Sequence, residues 1–264
     1  MGNSDPLLTY LKSFGYSVVR LPRTDLRPLQ LLVREDTRLT RLGDLTAVLL
    51  PGERAPLPAI TDNVAAADIS GERTRDLSLG VGLSILGGVI GAMGGSTVGL
   101  DAGYKQARTA VFEFHDVLKD SADLAAIDQY LTDADVNPLS THAAQLLDAD
   151  AVYILVSTIK TRRFVVDARD SSGASLDVQV PEIQKIVGAK VNVAPASGGS
   201  SKIAFEGPVP LVFGFQAARL FYDKGRYTAF KPMAPGEGAL EARPGGTAVA
   251  EMLQTESPFA RLDP

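Results

Sequence analysis

Cysteine and tryptophan are absent from this chain of 264 residues, and histidine occurs only at His115 and His142. Without cysteine there can be no disulfide, no thiolate metal site and no cysteine nucleophile. No G-x-G-x-x-G, G-x-x-x-x-G-K-[ST], H-E-x-x-H or G-x-S-x-G occurs either, which removes the usual dinucleotide, P-loop, zinc-protease and serine-hydrolase signatures. Lysine and arginine number 26 against 31 acidic residues, a net charge of -5 with a pI near 5.1. That balance is the wrong one for general nucleic-acid binding. No cofactor, no metal and no catalytic group is expected. The opening MGNSDPLLTYLKS lacks a basic stretch followed by an apolar core, so the cytoplasm is the expected compartment.

What the chain does hold is an uncharged run from Leu77 to Leu100, LSLGVGLSILGGVIGAMGGSTVGL, fenced by Asp76 and Asp101. It is long enough for a transmembrane helix, which needs about 20 apolar residues. Gly87, Gly91, Gly95 and Gly99 give it a small-xxx-small stripe. A second period competes with that one. Leu77, Leu79, Val81, Leu83 and Ile85 alternate strictly with Ser78, Gly80, Gly82 and Ser84, the pattern of a strand with one apolar face. Alternation resumes at Val98 and Leu100 and again at Ala110, Phe112 and Phe114, so the segment reads as a hairpin with a glycine-rich tip. Tilted strands of about 9 to 11 residues cross a bilayer in a barrel. A buried helix or strand pair of a soluble core remains the third reading.

Around this run lie ordinary elements. Asp5 and Pro6 open a short helix that Gly15 ends, and the strand YSVVRL follows. Helices are expected near 121 to 131, capped by Ser121, and near 138 to 148, capped by Asn137 or Ser140. A second amphipathic hairpin is expected in 152 to 206. Phe164, Val166 and Ala168 are its apolar positions before the turn Asp170-Ser-Ser-Gly173, and Leu176, Val178 and Val180 those after it. A short helix at 182 to 188 leads to a further pair, Val191 and Val193 against Ile203 and Phe205. Ser157 and Lys160 match S-x-x-K, but in a strand their side chains point oppositely. His115 reads as a polar strand-face residue beside Glu113. From Lys231 to Thr247 the chain turns rich in Gly, Pro, Ala and Glu, the composition of a linker, before a tail with apolar Val249, Met252, Leu253, Phe259 and Leu262.

The stretches GYSVVRLPRTDLRPLQLLV, DLSLGVGLSILGGVIGAMGGSTVGLDAGY, DSSGASLDVQVPEI and FEGPVPLVFGFQAARLFYDKGRY together resemble a bacterial gasdermin over nearly the entire chain. The resemblance implies an α+β fold, a twisted central antiparallel sheet with short surrounding helices, that converts to a membrane β-barrel. It implies a pore-forming body at 1–233, a protease-sensitive linker at 234–247 with Leu240 and Arg243 as candidate cleavage residues, and an autoinhibitory peptide at 248–264. Regions 62 to 114 and 152 to 206 would insert. Their lipid-facing residues would be Leu77, Leu79, Val81, Leu83, Ile85, Val98, Leu100, Phe164, Val166, Leu176, Val178 and Val180. The implied partners are an activating protease, caspase-like or other, anionic membrane lipids and further copies of the chain, monomeric while inhibited. The implied setting is anti-phage cell death at the inner membrane. The rival is a soluble lipid-binding or scaffold module that never inserts. One departure stands out. Members of this family commonly carry an acylated cysteine near the N-terminus, whereas this chain reads Met1-Gly2-Asn3-Ser4.

Overall fold

The computed structural model describes residues 11–35, 38–67, 69–70, 74, 77–176, 178–196, 202–234 and 239–240. In chain order its elements are β1 (Ser17–Arg23), β2 (Gln30–Glu35), β3 (Arg38–Asp44), α1 (Leu45–Val48), β4 (Leu49–Leu50), β5 (Ile60–Ala65), β6 (Leu77–Ser78), α2 (Leu79–Ala92) and α3 (Leu100–Gly103). There follow β7 (Thr109–His115), β8 (Leu118–Ala122), α4 (Leu124–Asp133), β9 (Asp135–Val136), α5 (Thr141–Asp148), β10 (Val152–Arg169), α6 (Val180–Val187), β11 (Asn192–Pro195), β12 (Lys202–Asp223), β13 (Arg226–Pro232) and β14 (Ala239–Leu240).

Two long antiparallel strands, β10 and β12, form the spine of a twelve-stranded sheet. Their sequences are rich in Val, Ile, Phe, Tyr and Thr, residues that fit a pleated, half-buried surface. At one end β12 pairs with β1, β1 with β14, β14 with β3, β3 with β2, and β2 with β10. Because β10 also pairs with β12, these six strands close on themselves as a ring. Val19, Leu26, Leu32, Leu39, Tyr153, Leu155, Val212, Phe215 and Ala217 form its own buried cluster. β14 is the one member held by parallel pairing on both sides, Leu240 facing Val19 on one and Leu39 on the other.

A second core lies between the sheet and α1, α4 and α5, where Leu31, Ile154 and Leu220 meet Ile127, Tyr130 and Leu147. Asp123 caps α4 by accepting from Ala126 N at 2.9 Å. Ser121, expected in that role, is instead paired into β8 opposite Ser157. Ser140 does stand at the start of α5, but its hydroxyl donates to Ala47 O at 3.1 Å rather than capping. The helix expected at 182 to 188 is α6, and the expected pairing of Val193 with Phe205 is present. The expected helix start at Asp5 and Pro6 lies outside the described residues.

The remaining end of the sheet carries the third and largest core, beneath α2, α3 and α6. Here the structure corrects two expectations. The segment 77 to 85 is not one strand: Leu77 and Ser78 pair with β7, and the chain then turns into helix α2. Close packing explains the switch, since a Cβ on Gly82 would come within 2.9 Å of Ala110 Cβ. Only glycine lets the helix approach the sheet that nearly, and that contact offsets the roughly 1 kcal/mol each helical glycine costs. The helix stops where Gly94 N bonds Gly91 O at 2.9 Å and Gly95 N bonds Ile90 O at 2.9 Å, a Schellman ending with Gly94 in the left-handed region. The second correction concerns 175 to 180. After the turn the described residues form a single bridge, Arg169 to Ser175, and Val180 begins α6. β10 has β7 on one side and β12 on the other, so no edge is left for a returning strand, and Pro181 favours a helix start.

Candidate membrane-insertion surface

Strands β7, β10, β12 and β11 place their apolar positions in register. Phe114, Phe164, Phe205 and Val193 form one row across the sheet, and Phe112, Val166 and Ile203 the next. Ala110 and Ala168 stand opposite one another beyond them. The rings are in contact: Phe164 stacks on Phe205 at 5.2 Å and Phe112 on Phe164 at 6.4 Å, with Phe114 on Phe213 at 4.4 Å. Such rows arise because successive side chains in a strand point to opposite faces.

The same strands turn a charged set to the other face. Glu113 Oε1 lies 3.0 Å from His115 Nε2 and its Oε2 lies 3.9 Å from Lys202 Nζ, while Asp167 pairs with Arg169 at 3.2 Å. His115 is therefore part of a polar strand face, as its sequence context predicts. Lys160 of the S-x-x-K match is bound to Asp120 at 2.5 Å. A sheet with one aromatic and one ionic face suits two environments at once, lipid on one side and water on the other. In the present state the aromatic face is covered.

Most of the expected lipid-facing residues converge on that cover. Leu77 and Leu100 are buried in the same core as Phe164 and Val166, with Val178 beside them. Leu79, Leu83, Ile85, Leu176 and Val180 are half-buried and pack against it. Val98 does not join them: it is 85% exposed in the loop after α2. Val81 lies in α2, with its side chain outside the described set. Phe112, Phe114, Ile203 and Phe205 were not in the expected set, yet they form the centre of the face. Their period of two at 110 to 114 and 203 to 205 is the signal that finds them. Of the cleavage and tail residues, Leu240 lies in β14, while Arg243, Val249, Met252, Leu253, Phe259 and Leu262 lie outside the described residues.

Among the described residues no group of three metal-ligating side chains occurs, and no helix is long and apolar enough to cross a membrane. α2, with 14 residues, spans about 21 Å against a hydrocarbon thickness of about 30 Å.

The fold is that of a solved bacterial gasdermin from Bradyrhizobium tropiciagri, with a TM-score of 0.63 over 90% of this chain and 95% of that one at 17% identity. The sequence carries the assignment further. The family model described as the Bacterial Gasdermin Family matches residues 19–226. The chain is also 52% identical over 261 residues to a gasdermin bGSDM from a Desulfuromonadales bacterium, covering 98% of this chain and 97% of the relative. It is 44% identical to one from Lysobacter enzymogenes, covering 95% and 93%. The chain belongs to the bacterial gasdermin family, whose members are pore-forming proteins.

Proposed function

We propose that this protein is a protease-activated pore former held inactive by its own C-terminus. The carrying observation is the two-faced sheet: aromatic rows buried under α2, α3 and α6, and ion pairs on the reverse side. In this reading residues 1–233 are the pore-forming body, 234–247 the linker a protease cuts, and 248–264 the inhibitory peptide. Val249, Met252, Leu253, Phe259 and Leu262 are its apolar anchors. Arg243 and Leu240 are the candidate cleavage residues, and the bond at Leu240 opens to a protease only when β14 leaves the sheet, which favours Arg243.

Once the tail departs, copies assemble on anionic lipid, and regions 62 to 114 and 152 to 206 enter the membrane as hairpins. β7 has 7 residues, short of the 9 to 11 or so that a crossing strand needs. If α2 unwinds to a strand, the strict alternation from Leu77 to Ile85 lengthens β6, the partner of β7, and the alternation that resumes at Val98 and Leu100 supplies the residues before β7. Every backbone amide must be satisfied in lipid, so the hairpins enter only as a ring or arc of neighbours. The inactive protein resides in the cytoplasm and acts at the inner membrane, as part of a cell-death defence against phage.

Deletion of residues from 244 onward should release dye from anionic liposomes and leave rings visible on the membranes, while the intact chain releases none. Co-sedimentation with liposomes that stay sealed both after this deletion and after deletion from 235 onward, which removes β14 as well, would identify a lipid-binding module instead and end the pore reading.

A further inference from the structure

One transverse level interrupts the pairing of β10 on both of its sides. On one side β7 ends at His115 and β8 begins at Leu118, with Asp116 between them at φ 50. In the middle, the pairing of β10 with β12 passes from Thr161 opposite Leu211 to Arg163 opposite Glu206. A single β10 residue, Arg162, therefore stands against Gly207, Pro208, Val209 and Pro210. Two of those four are prolines, which have no N–H to give to a neighbouring strand.

At the same level one side chain ties β10 to β7 on the opposite side from the broken pairing. Thr161 is 5% exposed. Its Oγ1 donates to His115 O at 2.5 Å, with Arg163 O the alternative acceptor at 2.9 Å, and accepts from Arg163 N at 2.9 Å. The covering helix ends at the same level. A Cβ on Gly207 would meet Met93 Cγ at 2.7 Å, so the C-cap of α2 lies directly on the break.

On one side of this level lie the strands that close the ring with β1, β2, β3 and β14. On the other lie β7, the far half of β10, the start of β12, β11 and α6, while α2 lies across the level, packed against β1 on the ring side as well as β7 on the far side. We propose that the level is a built-in hinge and that the Thr161 hydroxyl is its pin, setting how readily the two-faced half separates from the ring. The hinge's existence follows from the broken ladder, and its use in pore formation rests on the reading above. A buried hydroxyl that bonds both a carbonyl and an amide holds two backbone groups at once, and its removal deletes both contacts in the interior.

The test uses the full chain carrying Thr161→Val, which keeps the shape and loses the hydroxyl, and Thr161→Ser, which keeps the hydroxyl. Hydrogen exchange read by mass spectrometry should rise about tenfold in the valine variant for amides 109–115 and 163–169. Amides 30–34 and 212–222 should be unchanged, and the serine variant should match the wild type. In the wild type itself, the first set should open as one unit at a denaturant concentration that leaves the second protected. Uniform acceleration of both sets, no acceleration in either, or joint opening of both halves in the wild type would overturn the hinge. Dye release after tail removal separates the two claims. Selective exchange with sealed liposomes for every variant keeps the hinge and removes its role in a pore, whereas release about tenfold faster for the valine variant supports both.

Discussion

At Asp133 one carboxylate ties the loop after β4 to the end of α4. It accepts from Arg54 N at 2.7 Å, Ala55 N at 2.9 Å and Arg54 Nε at 3.0 Å. The backbone bonds from Ala55 and Arg54 hold its pKa below the usual carboxylate value, with the Arg54 charge assisting. A group whose folded pKa is depressed contributes stability above its unfolded pKa of about 4 and loses it as pH falls through the folded value. Asp133→Asn should therefore narrow the difference between urea midpoints at pH 7 and pH 3. An unchanged difference would show that this carboxylate is protonated at the same pH in both states. This contact was not legible in the sequence, because Asp133 and Arg54 are 79 positions apart and nothing local marks either. The His115 and Glu113 pair was legible, since two positions apart in a strand share a face.

Among the elements, α2 shows why an alternating pattern can mislead. Leu77 to Ile85 alternates as cleanly as any strand in the chain, while β7 and the start of β12 at Ile203 and Phe205 read correctly from the same signal. The difference is tertiary. Among the described residues β7 offers an edge that Leu77 and Ser78 take as strand, with Thr74 bonding Phe112 beside them, and beyond Ser78 the small residues that spoil a free helix let this one rest on Ala110. The two periods also assign different faces to the same residues. Leu86 is 1% exposed in the helix, yet in a strand it falls on the side opposite Leu83. Leu83 is half-buried in the helix, yet belongs to the lipid-facing parity. Leu86→Asp should thus destabilise the monomer by several kcal/mol, the cost of a buried unpaired carboxylate. Leu83→Asp should leave the urea midpoint near wild type and block dye release after tail removal. If Leu83→Asp leaks normally, Leu83 does not face lipid in the pore and α2 does not extend the first hairpin as a strand.

For the molecule as a whole, the notable arrangement is a ring of strands that the body does not close by itself. Among the described residues β1 and β3 are joined in the sheet through Ala239 and Leu240 alone, which in the proposed division belong to the linker. Barrels remove exposed edges by full closure, and here closure depends on two residues delivered by a tether. While the chain is continuous, that tether holds the strand at an effective concentration of order mM. After a cut on its N-terminal side the strand becomes a separate peptide with two ladder partners, too few to stay. A cut on its C-terminal side leaves it attached, and inhibition then depends on the residues beyond. Leu240→Pro distinguishes these cases without any protease, because proline has no N–H to offer the neighbouring strands. If ring closure holds the protein inactive, the uncut variant should release dye from anionic liposomes faster than the uncut wild type, and exchange should rise at residues 17–19 and 39–41. If the uncut variant stays as silent as the wild type, ring closure is dispensable and the peptide at 248–264 carries the inhibition alone.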